Sequence, residues 1–144
     1  MIRRLLRVAV VGALVAWVLD RVLARRAEGA PPTPIHTAVE IRAPAEEVWA
    51  VLADVEGQPR WMRDLKGVRI EGGGPVGVGT RAEGDVRILG LTVVDPITIT
   101  AFEPPRRFAI RHEGAFSGEG DIRLDPGVDE GTTLVRWSET LVPP

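Results

Sequence analysis

Residues 48–70 read VWAVLADVEGQPRWMRDLKGVRI. Two of the four tryptophans, Trp49 and Trp61, stand here on either side of a Gly57-Gln58-Pro59 break. Trp is large and on average highly buried, so both need a surface to cover. Val48, Trp49, Val51 and Leu52 fall at helical spacing. Just upstream, Ala43-Pro44-Ala45-Glu46-Glu47 offers a proline for a first helical turn and two acids for its positive end. Gly57 and Pro59 are expected to end that helix. Arg60 to Leu65 has length for only a short second helix, with Trp61, Met62 and Leu65 as its apolar residues. Val68-Arg69-Ile70 then starts a strand.

Outward from this segment the pattern is extended. Ile35 to Ile41 is β-branched and partly alternating, a first strand. Gly72 to Gly79 is a glycine-rich hairpin. A phosphate-cradling loop would need a helix after it, and the alternating run Arg81 to Ile88 follows instead. Leu91 to Phe102, Arg107 to Glu113, Gly118 to Leu124 and Thr132 to Thr140 read as further strands, joined by short turns. Short links between consecutive strands imply an antiparallel meander. The expected order is β-α-α-β-β-β-β-β-β, an α+β domain.

Alternation assigns the faces. Ala82, Gly84, Val86 and Ile88 point inward, with Arg81, Glu83, Asp85 and Arg87 outward. Phe108, Ile110 and His112 point inward, as do Ile122, Leu124, Thr133, Val135 and Trp137. In Leu91 to Phe102 the inward set is Val93, Ile97, Ile99 and Ala101, with Asp95-Pro96 expected as a bulge or edge irregularity.

The first 29 residues, MIRRLLRVAVVGALVAWVLDRVLARRAEG, differ from the rest. Val8 to Leu19 is an uncharged apolar run. Residues 5–24 are long enough to span a bilayer if Arg7, Asp20 and Arg21 snorkel. A membrane anchor is the favoured reading. A cleaved signal peptide lacks a clear small-residue cleavage site, and a helix packed on the domain itself is the third option. Three arginines precede the run and three follow it, so the positive-inside rule gives no orientation. The expected location is the membrane, through a single N-terminal pass; the alternative is cytoplasmic. Residues 30–34, Ala-Pro-Pro-Thr-Pro, form a stiff linker, and residues 35–144 form the globular domain.

With 144 residues the chain suits one domain, and a 44% hydrophobic content permits a core. A net charge of −2 offers no basic surplus for nucleic acid. The absence of cysteine excludes disulfides and thiolate metal sites. His36 and His112 are too far apart for a metal site, and no cofactor is expected.

The run Ile41-Arg42-Ala43-Pro44-Ala45-Glu46-Glu47-Val48-Trp49 resembles the opening of the START-like, or SRPBCC, superfamily, within it the polyketide cyclase/dehydrase and lipid transport group. Arg60-Trp61-Met62, Gly77-Val78-Gly79-Thr80, Phe102 to Phe108 and Gly131 to Trp137 recur in similar places, and the match spans about Thr37 to Thr140. The resemblance implies a helix-grip fold, a curved antiparallel sheet around a long C-terminal helix with an apolar cavity between them. Trp49 would anchor the first helix to the sheet, and Trp61 would cover the cavity mouth. The sequence ends at Leu141-Val142-Pro143-Pro144, where the family's long helix begins. That helix is therefore expected to be missing, and residues 5–24 are one candidate to cover the sheet in its place.

An apolar cavity with few polar groups suits a small hydrophobic ligand such as a lipid, quinone, isoprenoid or polyketide-like molecule. The expected ligand-binding residues are Trp61, Val86, Ile88, Ile97, Ile99, Phe108, Ile110, His112, Val135 and Trp137. The enzymatic alternative, cyclisation or dehydration of such a ligand, rests on His112 as acid or base. Glu139 shares the parity of Trp137 but is expected to be exposed. A third reading is a membrane-tethered interaction module with a filled core and no ligand.

Overall fold

The computed structural model describes residues 32–88 and 90–142. The expected N-terminal helix and membrane anchor lie outside the described residues. Among the described residues no helix is long and apolar enough to cross a membrane. Strands β1 (Ile35–Ile41), β2 (Leu65–Ile70), β3 (Arg81–Ile88), β4 (Leu91–Glu103), β5 (Arg107–Glu113), β6 (Ser117–Pro126) and β7 (Thr133–Val142) fall in one unit, Thr33–Pro144. They form a single antiparallel sheet in the order β1-β7-β6-β5-β4-β3-β2. Among the described residues no helix follows β7.

The strand order dictates where the helices go. β1 and β2 are consecutive in sequence yet form opposite edges. Their connection must cross the whole sheet, roughly 29 Å if it were flat, at ~4.8 Å per strand spacing. Helix α1 (Ala45–Ala53) and a 3-10 helix (Val55–Arg60) make that crossing. Pro44 sits at the N-cap of α1, where its missing N–H leaves no gap, and its carbonyl accepts from Glu47 N–H at 3.1 Å and Val48 N–H at 3.2 Å. Trp49 and Leu52 from α1 and Val55 from the 3-10 helix are buried. They pack on Ile99, Phe108, Ile122 and Leu124 from the sheet, which together form the core.

The second helix lies earlier than the sequence pattern suggests. It spans Val55–Arg60 rather than Arg60 to Leu65. The reason is local. Asp54 Oδ1 accepts the N–H of Gly57 at 3.1 Å, and Asp54 also pairs with Arg60, so the residues read as a break start a tight turn. A Cβ at Gly57 would collide with the side chains of Asp54 and Arg60. Glycine here leaves room for that pair and does not stop a helix. Pro59 is tolerated inside a short 3-10 segment that makes few backbone bonds.

The expected irregularity in β4 is also displaced. Asp95 and Pro96 are in register, opposite Gly84 and Glu83 of β3. Ile99 N–H donates to Thr80 O at 2.9 Å. Alternation then turns the 96 position away from β3, toward β5. The β4–β5 pairing begins at Ile97 with His112, so a residue without an N–H at 96 interrupts neither ladder. The bulge lies instead between Ile99 and Ala101. It shifts the parity, so Phe102 and not Ala101 shares the face of its partner Phe108. Trp49 fills the space between these rings, at centroid distances of 5.1 Å from Phe102 and 6.5 Å from Phe108, both edge to face.

The opposite face carries the charge. Arg69 pairs with Asp85 and Glu83, Arg107 and Arg123 with Asp121, and Arg136 with Asp125. Most of these groups are largely exposed, so such pairs contribute at most about 1 kcal/mol each.

Truncating Trp49 to Ala should lower unfolding free energy in urea by about 3–5 kcal/mol. Trp61 is 42% exposed, and Trp61→Ala should change it by less than about 1 kcal/mol. Equal losses in the two variants would contradict the anchoring role of Trp49.

Candidate functional site

The concave face, under the helices, holds the candidate site. Four of the expected ligand-binding residues, Trp61, Phe108, Ile110 and Trp137, line one cavity of about 30 Å³. That volume holds little more than a water molecule. Gln58 and Met62 from the helical crossing and Glu139 from β7 complete its rim. The other expected residues are dispersed. Ile99 is sealed in the core. Val135 packs at the core's edge. Ile97 pairs with His112, while Val86 and Ile88 lie on β3, away from the cavity, with Ile88 exposed. Apolar residues continue past the cavity on the same face. Register places Ile35, Val39 and Ile41 of β1 with Leu141 of β7 on the side of Trp137, and all four are exposed.

A larger open depression of about 460 Å³ involves His36, Ala38, Asp121, Arg123, Arg136 and Ser138. By register these residues sit on the opposite face from Val135. Its charged groups are already paired with one another or with neighbours. The concave face, with a hydrogen-bonded polar cluster inside an apolar wall, is the better site despite its smaller enclosed volume.

Those polar groups form a line across the sheet. His112 Nδ1 lies 2.6 Å from Asp95 Oδ2, and its Nε2 lies 2.9 Å from Glu139 Oε1. Trp137 Nε1 donates to Glu139 Oε2 at 2.8 Å. Asp95 is on β4, His112 on β5, and Glu139 and Trp137 on β7. Between β5 and β7 lies β6, so His112 and Glu139 meet over it. They can do so because β6 presents Gly120 opposite Glu139; Gly118, opposite His112, answers to its backbone, with φ 153° and a Cβ that would meet Thr140 O. A Cβ at Gly120 would stand 2.8 Å from Glu139 Oε2 and 3.2 Å from Ile110 Cγ1.

The imidazole side chain is 13% exposed. Burial, the largest single influence, favours its neutral form, but the hydrogen bonds and charges of Asp95 and Glu139 together outweigh it and raise its pKa to about 9. At neutral pH the ring is an imidazolium donating one N–H to each carboxyl group.

Two of these groups escaped the sequence pattern. Asp95 was assigned to a bulge, and in register it instead shares the face of Ile97 and Ile99. Glu139 was expected to be exposed, and it is held in by His112 and Trp137. The signal was present in Gly118-Glu119-Gly120, where two glycines share one face of a strand flanked by an inward His and an inward Glu. Among the described residues no cluster of His, Cys, Asp or Glu could hold a metal ion.

Residues 33–144 match the family described as polyketide cyclase/dehydrase and lipid transport. No curated protein matches the chain. Among solved structures, one from Deinococcus radiodurans is 28% identical with a TM-score of 0.65, over 78% of this chain and 84% of that one. A START superfamily protein from Mycobacterium smegmatis is 20% identical with a TM-score of 0.65, over 76% of each chain. The Zhui aromatase/cyclase from a Streptomyces species is 22% identical with a TM-score of 0.68, over 79% of this chain and 70% of that one. The fold is START-like.

Because the folded pKa of His112 lies above the ordinary value of 6.5, its stabilising effect is complete below about pH 6.5 and lost as pH rises through about 9. Urea unfolding should therefore show a decline of up to about 3 kcal/mol across that window. His112→Asn should abolish the slope, and a slope unchanged by the substitution would place its origin elsewhere.

Proposed function

The chain belongs to the polyketide cyclase/dehydrase and lipid transport family, and from that premise we propose that it binds a small hydrophobic ligand along the concave face. The observation that carries this reading is that two apolar features share one face of the sheet. A pocket walled by Phe108, Ile110 and Trp137 lies on the same face as the exposed apolar residues Ile35, Val39, Ile41 and Leu141. The ligand's apolar body lies on those residues and one end enters the pocket. Trp61 and Met62 border the pocket from the crossing, and neither is buried. A rotation of these two side chains enlarges it without moving the core. The apolar pattern of residues 5–24 supports a site held at a bilayer, from which such a ligand exchanges.

The full-length chain should bind Nile red, a neutral apolar dye, with a rise in fluorescence, and Trp61→Ala should weaken binding by about tenfold, or ~1.4 kcal/mol. A folded chain that neither binds the dye nor carries an extractable apolar molecule in native mass spectrometry would favour the interaction module.

The line of Asp95, His112 and Glu139 favours a second reading, proton transfer to or from a polyketide-like substrate. Glu139 borders the pocket and would touch the substrate, while His112 stands one group behind it as a positioning residue. On this reading Glu139→Gln should reduce turnover of a bound polyketide-like substrate by about 100-fold with binding retained. Loss of binding alone would leave only the carrier reading.

A further inference from the structure

We propose that the pocket selects ligands whose buried end is a hydroxyl, alcohol or phenol, and disfavours those ending in a carboxylate or another anion. This deepens the hydrophobic-ligand reading and rests on it. The argument is an inventory of donors and acceptors at the pocket wall. Gln58 Nε2 donates one N–H to Leu52 O at 3.0 Å, which leaves its amide a second N–H and the acceptor Oε1. Trp137 Nε1 is taken up by Glu139. Glu139 accepts from His112 on one oxygen and from Trp137 on the other, and each oxygen keeps a further lone pair. Two acceptors, Gln58 Oε1 and the Glu139 carboxylate, are therefore available at one pocket.

A further donor stands beside them. The Trp61 indole N–H makes no hydrogen bond among the described residues, and its ring is at the rim. A hydroxyl donates once and accepts, so it satisfies Glu139 or Gln58 and Trp61 together. A carboxylate can only accept. It would take up the Trp61 and Gln58 N–H groups, leave both acceptors without a donor, and bring its negative charge against the Glu139 carboxyl group. Among the described residues lining the pocket none is Arg or Lys, so no cation offsets that charge. Withholding a donor from a buried acceptor and opposing like charges both weaken binding.

The test uses the full-length chain at pH 7, with decan-1-ol, decanoate and decylamine each displacing Nile red. Decan-1-ol should bind at least about tenfold more tightly than decanoate. Decylamine, protonated at pH 7, donates to both acceptors without like-charge opposition and should also bind more tightly than decanoate. In Glu139→Gln the difference between alcohol and carboxylate should shrink to about threefold or less, with the far-ultraviolet circular dichroism spectrum unchanged. Gln58→Met supplies an independent variant, expected to weaken the alcohol. Decanoate binding as tightly as decan-1-ol to the unsubstituted chain would overturn the inference and leave the hydrophobic-ligand reading intact. A chain that binds no dye and none of the three probes would overturn both. Discrimination that persists undiminished in both variants would overturn the assignment to Glu139 and Gln58.

Discussion

The edge-to-face contact of Trp49 with Phe102 and Phe108 is the interaction on which the rest of the structure depends. The strand order sends the chain from one edge of the sheet to the other between β1 and β2. A crossing of that length has few backbone bonds to the sheet and must be held by side chains. Trp49 supplies the largest of them, and the β4 bulge turns Phe102 toward it. Without the bulge, Ala101 would face the helix and leave a void where the ring now sits. Anchored there, the crossing brings Gln58, Trp61 and Met62 over the sheet, and the pocket exists only because they are held above it.

The polar line obeys a different constraint. Buried carboxylates are tolerated when they are paired and hydrogen-bonded. Asp95 and Glu139 share one imidazolium, and Glu139 gains the Trp137 indole N–H as well. The arrangement needs β6 to be bare beneath Glu139, which Gly120 accomplishes. Glycine weakens a strand interior. Gly120, in a strand otherwise well paired, identifies a place where the fold gives up local stability to let side chains from its neighbours meet. A purely structural core would more simply be filled with valine or isoleucine.

Period-two alternation made most of the sheet legible. β1, β3 and β5 have the bounds the pattern suggested, because inward apolar and outward polar residues alternate through β3 and largely through β1 and β5. The short helices were less legible because Gly57 and Pro59 act through tertiary and side-chain geometry. Gly57 gives room to an Asp54–Arg60 pair, which spacing alone does not reveal. The site divided in the same way. His112 followed from parity. Asp95 did not, because Pro96 beside it suggested a break, and only the end of the β4–β5 pairing makes proline harmless there. Glu139 had the right parity, but an acid near a strand end is ordinarily exposed. Only its partners on other strands hold it in.

A polar end group matters for a ligand on this face because apolar contact alone would leave little surplus. Burying a ten-carbon chain is worth roughly 8 kcal/mol at ~0.8 kcal/mol per methylene. Lost translational and rotational freedom opposes association by an estimated 4–15 kcal/mol. On an open face some of the chain stays wet, which reduces the favourable part further. The balance therefore falls to the few groups in the pocket. Acceptors with no Arg or Lys beside them contribute when they meet a donor and oppose binding when they meet an anion, so a site this shallow discriminates by its end group more than by the length of the ligand.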